Sequence, residues 1–140
     1  MSEEIGWKPG FTPSPSGLHA EFYAHCARGE LRFQRCDDCG TWRHPPRVLC
    51  PRCASERWQW ARSSGRGTLF SWTITHQPLV PGFGDRVPYA VAVVELEEGP
   101  RLVTGLRGIA LRDLAIGVPV EVAFEKLSDA LGLHYFRPRA

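Results

Sequence analysis

Cys36, Cys39, Cys50 and Cys53 fall within eighteen residues, in the stretch CDDCGTWRHPPRVLCPRC. Two cysteines separated by two residues can bend round one ion. Two such pairs, ten residues apart, can meet across a short hairpin and surround the ion with four thiolates. Gly40 directly follows the first pair, where a tight turn favours a residue without Cβ, and Pro51 fixes φ inside the second. A tetrahedral S₄ shell suits zinc or iron. In a reducing compartment, disulfides are the weaker reading of closely spaced cysteines, and a thioredoxin-like dithiol needs a βαβ context that the sequence does not offer. Iron would make an electron carrier, but nothing else in the chain resembles a redox partner system. Zinc as a structural clip is the preferred reading, because a sulfur-saturated ion leaves no open position for water or substrate. Residues 30–62 have few apolar positions, and a structural zinc can contribute on the order of 10 kcal/mol to folding.

The remaining candidate chemistry is sparse. Residues 28–66 carry nine Arg against four acids, a net +5, whereas residues 67–140 carry seven cations against eight acids, a net −1. Four thiolates and a divalent cation sum to −2, so the nearby Arg either offset the metal site, the preferred reading, or meet an external anion. Cys26 lies apart from the four and reads as a small buried apolar group. His44 sits between the pairs and reads as a surface residue or one lying behind the ligands. The other histidines have no nucleophile or acid at readable spacing. No Ser-His-Asp order, phosphate loop or paired carboxylate motif is present, so catalytic residues are expected to be none. Glu95, Glu97 and Glu98 read as a solvated turn.

The elements that must hold these residues divide at two points. Residues 1–15, with Pro9, Pro13 and Pro15, read as a flexible Pro-rich arm. Residues 16–62 hold a helix followed by the cysteine ribbon. In SGLHAEFYAHCARGE, Ser16 is the expected N-cap, Leu18, Phe22, Tyr23 and Cys26 form one apolar stripe, and Gly29 ends the helix. ELRFQRC then alternates as a strand. Residues 63–140 contain five runs rich in Val, Phe, Trp, Tyr and Thr: GTLFSWTITHQP, YAVAVVELEEG, RLVTGLRG, VPVEVAFEKL and LHYFRP. Only GIALRDLAIG, between the third and fourth, could hold a short helix. Five strands in this order fit a Greek-key OB-fold barrel, partly open, in a mainly β chain, with a simple meander or a split sandwich as the alternatives. The loop HQPLVPGFGDRVP presents Leu79, Val80 and Phe83 either to a partner or over the barrel mouth. No apolar run approaches a membrane span, and the start has no leader-like pattern. A cytoplasmic location is expected.

The order of parts, helix, ELRFQRCDDCGTWRHPPRVLCPRC, SSGRGTLFSWTIT and LAIGVPVEVAFE, resembles the family of small proteins with a rubredoxin-like zinc ribbon followed by an OB-fold. That family is associated with acyl-CoA enzymes. The resemblance spans about residues 16–138. It implies Zn²⁺ on Cys36, Cys39, Cys50 and Cys53, and partnership with a thiolase-like enzyme, an acyltransferase or a steroid side-chain aldolase, or with a MaoC-type hydratase. It further implies a non-catalytic accessory subunit that supports the partner and binds or channels acyl-CoA. CoA phosphates are anions that Arg43, Arg47 or Arg52 could grip, and Leu79 and Phe83 are the apolar candidates for partner contact. The alternative class is a nucleic-acid-binding ribbon and barrel. Against it stand the −1 charge of the barrel half and the expectation that Trp72, Tyr89 and Phe124 are core residues, not stacking platforms.

Overall fold

A computed structural model describes residues 12–78 and 87–139. Helix α1 spans Gly17–Ala27 and exposes one stripe to the interior: Phe22 and Cys26 are buried, with Leu18 and Tyr23 half-buried beside them. Ser16 occupies the N-cap with extended backbone, but its side chain makes no capping hydrogen bond. The other end is firmly closed. Gly29 takes φ +76°, Gly29 N–H donates to the Cys26 carbonyl, and Glu30 N–H donates to the His25 carbonyl, each at 3.0 Å. This paired Schellman closure needs a left-handed residue, which glycine supplies without a Cβ penalty.

The ribbon is a three-stranded antiparallel sheet in the order β2-β1-β3, made of β1 (Arg32–Cys36), β2 (Trp42–Arg43) and β3 (Trp58–Arg62). Strand β3 was not anticipated. Its alternating Trp58-Gln59-Trp60 is the sequence signal, and it pairs with β1 along that strand's whole length.

The five predicted runs become β4 (Arg66–Thr75), β5 (Tyr89–Leu96), β6 (Arg101–Leu106), β7 (Pro119–Ser128) and β8 (Leu131–Pro138). They close a barrel in the order β4-β5-β6-β8-β7, with β7 returning to β4. Only the β6–β8 pair is parallel, as the Greek-key OB arrangement requires. The barrel is closed where a partly open one was expected. The segment between β6 and β7 holds a single 3₁₀ turn, Leu111–Asp113, in place of a helix.

One core joins the parts. Phe22 and Cys26 from α1, and Leu31 and Phe33 from the ribbon, belong to the same buried cluster as the barrel's Leu69, Val94 and Phe136. Fully burying each large apolar side chain contributes roughly 1.5–3 kcal/mol. The helix rests on β8 through backbone contact: a Cβ added at Gly132 would lie 2.5 Å from Ala27 N and 2.6 Å from the Cys26 carbonyl carbon. The chain between ribbon and barrel is fastened as well. Glu98 accepts hydrogen bonds from Ser63 Oγ (2.5 Å) and Ser64 N (2.9 Å), while Glu97 accepts from Ser64 Oγ and Arg66. The Glu97-Glu98 turn therefore does more than face solvent. No helix among the described residues is long and apolar enough to cross a membrane.

Candidate metal centre

The centre is assembled from two similar turns. In the first, the Cys36 carbonyl accepts Gly40 N–H at 3.0 Å; in the second, the Cys50 carbonyl accepts Ala54 N–H at 2.8 Å. Gly40 and Ala54 both adopt left-handed backbone, φ +74° and +62°. Each turn curls its two sulfurs toward a common point, and Cys39 N–H is directed at Cys36 Sγ, 3.5 Å away. Ala54 was not singled out from the sequence; the signal was its place directly after the second pair, matching Gly40 after the first.

All four Sγ atoms lie within 4.8 Å of one another, and among the described residues this is the one group of three or more metal-ligating side chains so gathered. Cys36 Sγ is 3.5 Å from Cys53 Sγ, and Cys39 Sγ is 3.6 Å from Cys50 Sγ. A tetrahedron with zinc–sulfur bonds of ~2.3 Å has sulfurs about 3.8 Å apart, so the donor set fits zinc in size and in softness. All five cysteines are free thiols. Cys36 and Cys50 are buried, while Cys39 and Cys53 reach the surface. The Thr41 hydroxyl lies 3.1 Å from Cys39 Sγ and leads the interactions that favour that residue's thiolate. Cys26 differs: burial pushes its thiol up to about 12, consistent with an inert packing group.

The three arginines separate. Arg43 is 4 % exposed; its Nε donates to Gln34 Oε1 at 3.0 Å and its Nη2 to the Arg47 carbonyl at 2.9 Å. Gln34 Oε1 also accepts Arg47 N–H at 2.7 Å. Arg43 and Gln34 thus hold the loop before Cys50 from the inside, and the Arg43 side chain is directed away from solvent. Arg47 and Arg52 are exposed beside Val48 and Leu49. His44 is not a surface residue: its ring packs 4.7 Å from Phe22 and 5.2 Å from Phe33. Leu79 and Phe83 lie outside the described residues. Trp72, Tyr89 and Phe124 are half-buried and pack against the barrel's core.

A closed thiolate shell orders backbone and leaves no coordination site for turnover. The Cys ligands would hold the ion, and zinc would supply a fixed crosslink between the two turns.

Comparison with known proteins agrees with this construction. The family described as "ChsH2, rubredoxin-like zinc ribbon domain" matches residues 24–59, and "ChsH2, C-terminal OB-fold domain" matches residues 60–125. A probable enoyl-CoA hydratase alpha subunit of Thermomonospora curvata is 41% identical over 126 residues, covering 90% of this chain and 39% of that protein. The chain thus spans about two fifths of the length of that relative. A DUF35 domain-containing scaffold protein of Methanothermobacter thermautotrophicus is 33% identical over 103 residues, covering 73% of this chain and 77% of that one. Among solved structures, a chain of the "Ltp2-ChsH2(DUF35) aldolase" superposes with a TM-score of 0.80 at 39% identity, covering 91% of this chain and 98% of that one. With both halves matched in order and a solved relative covered almost end to end, this chain belongs to the ChsH2 family of rubredoxin-like zinc ribbons joined to an OB-fold.

Proposed function

We propose that this chain is a non-catalytic accessory subunit of an acyl-CoA-processing complex, docked on a thiolase-like enzyme such as an aldolase or acyltransferase. The observation that carries the reading is its likeness, over 91% of its length, to a chain of the "Ltp2-ChsH2(DUF35) aldolase". A MaoC-type hydratase is the second candidate partner, supported by the hydratase alpha subunit among the relatives. Zinc on Cys36, Cys39, Cys50 and Cys53 keeps the ribbon folded. The partner supplies nucleophile and oxyanion donors, and this chain supplies rigid surface. Acyl-CoA, if it reaches the ribbon, meets Arg47 and Arg52 through its phosphates, while Arg43 acts from within by holding their loop. Leu79 and Phe83 remain proposed partner contacts, and the complex is assigned to the cytoplasm.

Purification of the tagged chain from its native cell, with quantitative mass spectrometry, tests the proposal. The expected result is one stoichiometric enzyme of thiolase or hydratase type, with acyl-CoA turnover in the complex and none by the chain alone. Turnover by the isolated chain, or sub-micromolar single-strand binding with a steep salt slope, overturns it. Replacing Arg47 and Arg52 by Ala is expected to weaken acyl-CoA binding by the complex; unchanged affinity removes the phosphate contact while leaving the docking role standing.

A further inference from the structure

The two cysteine pairs are joined by a polar contact that involves no sulfur. Asp38 lies inside the first pair, and its carboxylate accepts hydrogen bonds from Ser55 Oγ and from the Arg57 guanidinium, both just beyond the second pair. The same short segment is tied on every side. Ser55 Oγ accepts Arg57 N–H at 3.0 Å, the Arg57 carbonyl accepts Asp37 N–H at 3.0 Å, and the Ser55 carbonyl accepts Cys50 N–H at 3.0 Å. Residues 55–57 therefore grip the first turn through Asp37 and Asp38, and the second through Cys50. The protein's own hydrogen bonds bring the four sulfurs to tetrahedral spacing.

We infer that Asp38, Ser55 and Arg57 form a clasp that positions the two cysteine pairs and sets how tightly the metal is held, without any of the three being a ligand. The inference rests on the zinc reading of the four cysteines. Groups just outside a metal's ligand shell typically change affinity by roughly 10–100-fold when removed. The Arg57–Asp38 pair is largely exposed, 74% and 36%, and an exposed ion pair adds little to global stability. Its effect should therefore appear in metal retention. Charge makes the three members unequal. The thiolates and Asp38 are all anionic, and Arg57 is the cation among them; Asp38 first, then Asp37 and Cys36, favour its charged form.

Removing the Arg57 side chain leaves Ser55 as the clasp's one side-chain donor to Asp38 and leaves the Asp38 charge facing the thiolates. Removing the Asp38 charge breaks the ion pair, keeps one acceptor oxygen for the clasp, and keeps a cation near Cys36. The order of loss expected is Arg57→Met greatest, Asp38→Asn smaller, and the double variant between them.

The test is competition for Zn²⁺ between the full chain and a chromophoric chelator, with the Co²⁺ spectrum reporting tetrahedral thiolate coordination and circular dichroism reporting the fold. R57M should lose affinity by about tenfold or more, with one metal still bound per chain when saturated. D129N, which breaks an exposed pair with Lys126 in the turn between β7 and β8, should match wild type. The inference is overturned if R57M and D38N both stay within about twofold of wild type, or if the double variant is weaker than R57M. Wild-type chain that binds no metal would instead overturn the zinc reading, and the clasp's role with it.

Discussion

Ala54 is the residue at which the metal turn carries a local cost. Its backbone has the same left-handed sense as that of Gly40, yet Ala54 has a Cβ. That region costs a residue with Cβ roughly 1–2 kcal/mol, partly offset because glycine loses more freedom on folding. Ala54→Gly should therefore raise the stability of the zinc-loaded chain by about 0.5–1 kcal/mol in urea unfolding. Gly40→Ala should lower it by about 1 kcal/mol. A Cβ at Gly40 would come no nearer than 3.8 Å to Arg35 Nη2, so conformation, not crowding, decides the second effect. A stabilised G40A, or a destabilised A54G, would contradict the account. Sequence spacing alone marked the four cysteines whose sulfurs cluster, because sulfur chemistry is specific to residue type. The roles of Arg43 and His44 were not legible that way, since which face of a short strand turns inward depends on what packs against it.

At the scale of elements, the seat of α1 is decided by one glycine and two histidines. The helix backbone presses on β8 at Gly132 so closely that a methyl group has no room. Gly132→Ala must displace backbone from backbone and should cost about 2–3 kcal/mol, read as a lower thermal midpoint. Around the same helix, Phe22 is flanked by His44 from the ribbon and by His134 of β8, which also contacts Tyr23 and lies 2.7 Å from the Thr104 hydroxyl. His134 keeps part of its surface open, but aromatic rings enclose the imidazole. Burial is the leading cause holding both histidines down to about 4, from 6.5. Between those values the unfolded chain binds protons that the folded chain does not, so stability is full above pH 6.5 and declines as pH falls toward 4. A His44→Gln/His134→Gln variant should show a shallower decline between pH 6.5 and 4 than wild type; equal slopes would remove the histidines as the cause. The five barrel strands were readable because alternating β-branched and aromatic runs lay between turn residues. Strand β3 escaped because it is short and lies directly before the Ser63-Ser64-Gly65 connection. Closure of the barrel was hidden for a different reason: it depends on β4 meeting β7 at Arg66–Glu121 and Thr68–Pro119, a pairing between distant segments.

For the whole molecule, the decisive feature is that ribbon and barrel share one core. A zinc ribbon joined to its neighbour only by a flexible connection would melt alone when stripped of metal, leaving the barrel's transition unchanged. Here Leu31, directly before the strand that ends at Cys36, and Phe33, on it, are buried with barrel residues, and the connection is fastened by Glu97 and Glu98. Metal binding stabilises the folded state by mass action, and the shared core transmits that gain to the barrel. Calorimetry should therefore show one transition in the zinc-loaded chain. Chelation should move that transition down as a unit, with Trp72, the one tryptophan of residues 63–140, changing together with the ribbon's Trp42, Trp58 and Trp60. Structural zinc contributes on the order of 10 kcal/mol in small ribbons. The shared core keeps part of this ribbon ordered without metal, so the loss on chelation should be several kcal/mol, not the full amount. Two resolved transitions, with the upper one unmoved by chelator, would show that the shared apolar contacts are too weak to couple the ribbon to the barrel. Ribbon and barrel would then be two independent bodies, whereas a single displaced transition means that the metal rigidifies both together.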